Sequence, residues 1–178
     1  MLLNKPNSWK DLNSVAKFLI ADRWVHPKKI ALNASSAGAI TAGMAVNTNP
    51  ELYGALTIFN GTVNGIRTES IDGYDTTDNA YEFGSTKDSL SFKSFVQLDP
   101  VVNFNSEIDY PSTLLFMGYQ DYLIPPSANG KYIALMQSGS RNIDTPYLLD
   151  IDFDNEHEID WYADYAKAIY FINNELDR

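Results

Sequence analysis

The sequence predicts an α/β domain with about four parallel strands and helices on both faces of the sheet. Three observations carry that reading. Short apolar runs of strand length alternate with stretches of helical periodicity. One junction, Ile30 to Val46, runs from strand through a tight serine turn into a helix of small residues. The chain has 178 residues, of which 44% are hydrophobic and 13% aromatic, which suits one domain with a sizeable core.

Trp9 to Asp22 reads as an amphipathic helix, because Leu12, Val15, Ala16, Leu19 and Ile20 fall at three- and four-residue spacing. Asn7 or Ser8 can cap it. Pro27 breaks the chain before the first strand, Lys29 to Leu32. A helix from Ala37 to about Asn47 follows and ends at Asn47-Thr48-Asn49-Pro50. Leu56 to Phe59 is the second strand. Residues 60–90 are polar and rich in Gly, Thr, Asp and Asn, as an insertion or lid would be. Ser91 to Gln97 reads as helical. Thr113 to Met117 is the third strand, with a helix from about Ser127 to Gln137 behind it. Tyr147 to Ile151 is the fourth strand. Asp160 to Glu175 closes the chain as a helix, with Ala163, Ala166, Ile169, Tyr170 and Ile172 expected to face inward. There is no internal repeat. Right-handed crossovers between chain neighbours place the strands side by side in sequence order.

A net charge of −10 argues against nucleic acid and against an anionic membrane surface as partners. The absence of cysteine excludes a disulfide framework, a thiolate metal site and a cysteine nucleophile. The N-terminus has no apolar signal core, and no stretch approaches about 18 continuous apolar residues, so no membrane span is expected. If the chain is a complete product, it is expected in the cytoplasm.

The serine turn is Asn33-Ala34-Ser35-Ser36-Ala37-Gly38. A nucleophile elbow needs small residues two before and two after its serine. Ser36 has Ala34 and Gly38 there; the rival Ser35 would have Asn33 and Ala37, a worse fit. The chain order that goes with such an elbow is serine, acid, histidine. Of two histidines, only His157 follows the elbow, just after the fourth strand. Asp121 sits in the loop after the third strand, where functional groups of parallel sheets collect. A serine hydroxyl needs a base within reach, and the imidazole needs an acceptor on its second nitrogen. The backbone N–H of Ala37 would point at a developing oxyanion. Asp154 and Asp99 are weaker candidates for the acid, and Asp121 could instead cap a turn. His26 reads as a solvated loop residue. The alternating acids from Asp150 to Asp160 begin like a calcium loop, but Asn155 replaces the glycine and Trp161 the final glutamate, so a solvated acidic loop is expected. Tyr74, Tyr81 and Phe83 could line a substrate pocket or pack against Trp161 or their own loop.

Taken together the pieces resemble the catalytic domain of the prolyl oligopeptidase family of serine peptidases. The matching stretches are DLNSVAKFLI, PKKIALNASSAGA, NPELYGALTIFNG, YEFGS, YPSTLLFMGYQDYLIPP and HEID, in family order over nearly the whole chain. The resemblance implies that residues 1–178 are the C-terminal portion of an α/β-hydrolase domain. It implies Ser36 as nucleophile, Asp121 as orienting acid and His157 as general base, a peptide substrate, and neither cofactor nor metal. Against the family pattern, the early strands, the loop with the second oxyanion donor and the N-terminal propeller are missing. Ala34 replaces the usual Gly, Leu123 stands where Arg is common, and Glu158 stands where Gly follows the histidine. No Trp occurs in the insertion to stack on proline, which counts against proline specificity.

Three readings of function follow: a serine hydrolase, the truncated and inactive piece of one, or a non-catalytic assembly module on the same fold. Without the strands that precede it in the family, the first strand becomes an open edge. Self-association, aggregation or pairing with a missing N-terminal segment is expected.

Overall fold

The structure is a computed structural model that describes residues 4–74, 77–139, 144–158, 160 and 162–178, with the backbone alone at 77–79. Four parallel strands form one sheet in the order β1 (Ala31–Ser35), β2 (Ala55–Phe59), β3 (Ser112–Gly118) and β4 (Tyr147–Asp152). The register sets Ala31 opposite Ala55, Ala55 opposite Ser112, and Thr113 opposite Tyr147. The helices are α1 (Asn7–Ala21), α2 (Gly38–Thr48), α3 (Gly65–Thr68), α4 (Thr77–Phe83), α5 (Ser89–Val96), α6 (Pro126–Gly139) and α7 (Ala163–Asp177). No described helix is long and apolar enough to cross a membrane.

Alternate residues of each strand serve opposite faces. Leu32 and Ala34, Leu56 and Ile58, Leu115 and Met117, and Leu149 and Ile151 meet α2 and α6 in the main core. Ala55, Phe59, Leu114 and Phe116 meet Ala168 and Phe171 of α7 on the other side. The strand β2 is buried along its whole length, as befits a parallel strand covered on both faces. Small residues let α2 lie close: a Cβ on Gly43 would come within 2.7 Å of Pro100.

Four local expectations change. Neither Asn7 nor Ser8 caps α1: both lie inside it, and its N-cap is Pro6. The first strand starts at Ala31 rather than Lys29 and runs on to Ser35, because the ladder with β2 extends from the Ile30 carbonyl to the Ser36 N–H. The inward face of α7 is Ala168, Phe171 and Glu175, whereas Ile169 and Tyr170 are 55% and 75% exposed and Ala163 and Ala166 also face solvent. That helix is apolar on two stripes, and among the described residues only the one opposite β2 and β3 finds a partner. The stretch 60–90 holds α3, α4 and the start of α5, and it buries Val63, Thr68 and Phe83.

The Ser36 N–H donates to the Phe59 carbonyl, and the Ile30 carbonyl accepts from Gly54. Even-numbered residues of β1 therefore turn to β2, and the main-chain groups of Ala31, Asn33 and Ser35 face outward. Among the described residues no strand pairs with that side. On the α7 face, Asn33 and Ser35 of β1 and Leu148 of β4 are exposed.

Candidate active site

Ser36 lies at the C-terminal end of β1, in the turn that enters α2. Its φ is 48°, a left-handed conformation that costs a non-glycine residue about 1–3 kcal/mol. The turn is held by Ser36 N–H on Phe59 and by the Ser36 carbonyl, which accepts from Ala39 and Thr62 at 3.1 and 3.0 Å. Ala34 and Gly38 face each other across it, and a Cβ on Gly38 would rest 3.9 Å from that of Ala34. Ser35 is the exposed last residue of β1. Ala37, the N-cap of α2, follows directly, so its N–H stands where a helix leaves donors unpaired.

Asp121 is 3% exposed in the loop after β3. Its Oδ1 accepts from the N–H groups of Leu123 and Ile124 at 2.8 and 2.9 Å. Its Oδ2 lies 2.8 Å from Nδ1 of His157, and Nε2 of His157 lies 3.1 Å from Ser36 Oγ. A carboxylate only accepts, so Nδ1 carries the proton and Nε2 is left to accept from the serine hydroxyl. The three side chains come from loops at the C-terminal ends of β1, β3 and β4, and the structure brings them together.

The rival acids lie elsewhere. Asp99 is buried against Asn64 and the N–H groups of Ile66 and Val102. Burial pushes its carboxyl up, against the pull of those hydrogen bonds. Asp154 is exposed beyond β4, and His26 is exposed before β1. The Tyr74 hydroxyl donates to the Asp121 carbonyl at 3.1 Å, Phe83 is buried, and Tyr81 is 85% exposed. Trp161, one of the partners considered for them, lies outside the described residues. Beside the Asp121 loop is a mostly apolar cavity lined by Thr62, Phe83, Phe95, Leu123 and Ile124, with Glu69 at its wall. Burial raises the Glu69 carboxyl, but hydrogen bonds from Ser85 and Thr86 outweigh it and hold the group below its usual range.

Two residues the sequence reading passed over complete the surroundings. Asn60, at the end of β2, has a φ of 43° and is 3% exposed. It lies between Gly118 and the carbonyl of His157. Gly118 ends β3 where the His157 loop crosses it: a Cβ there would stand 1.9 Å from the Glu156 carbonyl oxygen. The available signal was an Asn-Gly pair directly after an apolar strand.

The sequence model of the prolyl oligopeptidase family matches residues 1–177. The chain belongs to the prolyl oligopeptidase family. It is 25% identical over 177 residues to a prolyl endopeptidase of Dictyostelium discoideum, covering 97% of this chain and 22% of that protein. It is 26% identical over 149 residues to a dual-function macrocyclase-peptidase of Galerina marginata, covering 83% of this chain and 20% of that protein. The chain thus spans about a fifth of the length of these relatives. Among solved structures, oligopeptidase B from Leishmania major superposes with a TM-score of 0.90 at 19% identity, over 98% of this chain and 25% of that one. That likeness shows the fold: the prolyl oligopeptidase family's α/β-hydrolase sheet, here represented by four strands.

Proposed function

We propose that this chain carries the Ser-Asp-His centre of a serine peptidase that cleaves short peptides through an acyl-enzyme. The observation that carries the reading is the continuous path from Asp121 Oδ2 through His157 to Ser36 Oγ, with steps of 2.8 and 3.1 Å. Nε2 takes the hydroxyl proton as Oγ attacks the peptide carbonyl carbon. The oxyanion forms toward Ala37 N–H at the start of α2. Collapse breaks the C–N bond, and Nε2–H gives its proton to the leaving amine. Water, deprotonated by Nε2, then releases the acid and restores Ser36. Asp121 holds the imidazole tautomer and stabilises the cation.

A second reading is favoured by the open edge of β1 and the single oxyanion donor identified among the described residues: the centre is inherited but silent until further strands and a second donor are supplied. One such donor alone is worth about 10²–10³ in rate. The same edge supports self-association, or pairing with an N-terminal segment, as the partner mode. A fluorophosphonate probe on the purified chain separates the two. Labelling at Ser36 supports the active reading, and silence of the chain at all probe concentrations overturns it in favour of the inherited centre.

A further inference from the structure

We propose that Asn60 is a positioning residue for His157, acting as a clasp that closes the site from the strand that carries none of its three functional groups. The proposal rests on the reading of His157 as the base. The sheet offers four strand ends, and β1, β3 and β4 lead to Ser36, Asp121 and His157. The end of β2 carries Asn60. Its side chain bonds in two directions: Oδ1 accepts from Gly118 N–H at 2.7 Å, and Nδ2 donates to the His157 carbonyl at 2.8 Å. Its own N–H donates to Phe116 at 2.9 Å. One buried amide therefore ties the ends of β2 and β3 to the backbone of the histidine itself.

The need for such a tie follows from the loop. Residues 153–158 leave the edge strand β4 and cross β3 in irregular conformation. The Gln120 N–H reaches the Asn155 carbonyl, and Gln120 Nε2 the Phe153 carbonyl, both at 3.0 Å. These contacts fix the loop before the histidine. Asn60 provides the only main-chain hydrogen bond at residue 157 among the described residues. Both of its amide ends are used, so neither Asp nor Leu can replace it: Asp would set an acceptor against the His157 carbonyl, and Leu would leave both partners unpaired. Asn is also a residue that tolerates the left-handed backbone found here.

The test separates the clasp from backbone strain and from the function reading. Asn60→Gly keeps the positive φ without cost while removing both side-chain bonds; Asn60→Asp keeps the bond to Gly118 and loses the other. A His26→Gln background leaves one imidazole, so the Nδ1–H proton of His157 can be followed by NMR. The expected result is a folded chain in which both variants lose the slowly exchanging Nδ1–H signal. Phosphonate labelling should fall by about tenfold to a hundredfold, as for an imidazole displaced by a fraction of an ångström to an ångström. Ser36→Ala should leave the signal in place. A role in stability alone predicts an unchanged signal in the folded fraction, with labelling lowered only in proportion to unfolding, and that result overturns the proposal. If the parent chain does not label, the function reading fails, and the Nδ1–H signal still decides the clasp.

Discussion

Asp121 gives His157 only one of its carboxylate oxygens. Oδ2 meets Nδ1 at 2.8 Å, while Oδ1 is held by the N–H groups of Leu123 and Ile124 in the turn that precedes α6. The carboxylate is therefore held by its own loop as well as by the imidazole. Asp121→Asn can keep an oxygen on the turn but presents an amide donor to Nδ1, which favours the wrong imidazole tautomer. The fold should survive, and labelling should drop by about 10⁴. Asp121→Ala strips the acceptor from two N–H groups and should cost about 1–3 kcal/mol of stability as well. Thermal unfolding beside probe kinetics distinguishes the two.

Reaction at Ser36 should vanish in Ser36→Ala and persist in Ser35→Ala. The left-handed φ is at Ser36, and only its Oγ is placed on His157. Mass spectrometry of the labelled peptide checks this; loss in Ser35→Ala alone would move the elbow by one residue.

Two glycine substitutions should have opposite signs. Gly118→Ala places a methyl 1.9 Å from the Glu156 oxygen, against main chain that cannot yield without moving the His157 loop. Stability and labelling should both fall. Gly130→Ala, inside α6, meets nothing within 4 Å, so the helix should gain about 0.5–1 kcal/mol. Urea unfolding of both variants measures the difference.

Acid should weaken the region around α5. Asp88 caps that helix by accepting from Ser91 N–H at 2.7 Å, and this hydrogen bond holds its carboxyl below the ordinary range. A folded value below the unfolded one means stability that is present above the ordinary carboxylate range and lost as the pH falls through the folded value. Asp99, raised by burial, has the opposite sign: its contribution is present below the unfolded value and lost as the pH rises through the folded one. Asp88→Asn should flatten the acid limb of the urea midpoint plotted against pH. An unchanged limb would remove Asp88 from the account.

The outer edge of β1 should set the association state. Asn33 turns its N–H away from β2, so Asn33→Pro removes no existing ladder bond and blocks any strand that would add there. Sedimentation should show association in the parent chain and a shift toward monomer in the variant. A parent chain that stays monomeric at micromolar concentration would show that the edge is protected.

The strands were legible because each is a short apolar run bounded by turn residues, and the order followed from handedness alone. Ser36, Asp121 and His157 were legible as candidates because an elbow has a local steric pattern and their chain order is fixed. The face of α7 was not, since Ile169 and Tyr170 are as apolar as Ala168 and Phe171, and only the tertiary partner distinguishes the stripes. Residues 60–90 hid Val63 within a polar composition. Asn60 left only an Asn-Gly pair as a local sign and Gly118 none, because their importance lies in contacts 97 and 38 residues away.

The strand order has a consequence for how the site comes into being. Every strand docks beside the one made just before it, so no strand waits for a later one to open a place. A chain emerging from its N-terminus could lay down β1, β2 and β3 with Ser36 and Asp121 already near their final positions. Of the three side chains His157 arrives last, on the loop beyond β4, and on the proposed reading Ser36 has no base until then. On the proposed reading chemical competence thus waits for the last strand, and recovery of probe reactivity during refolding times its docking.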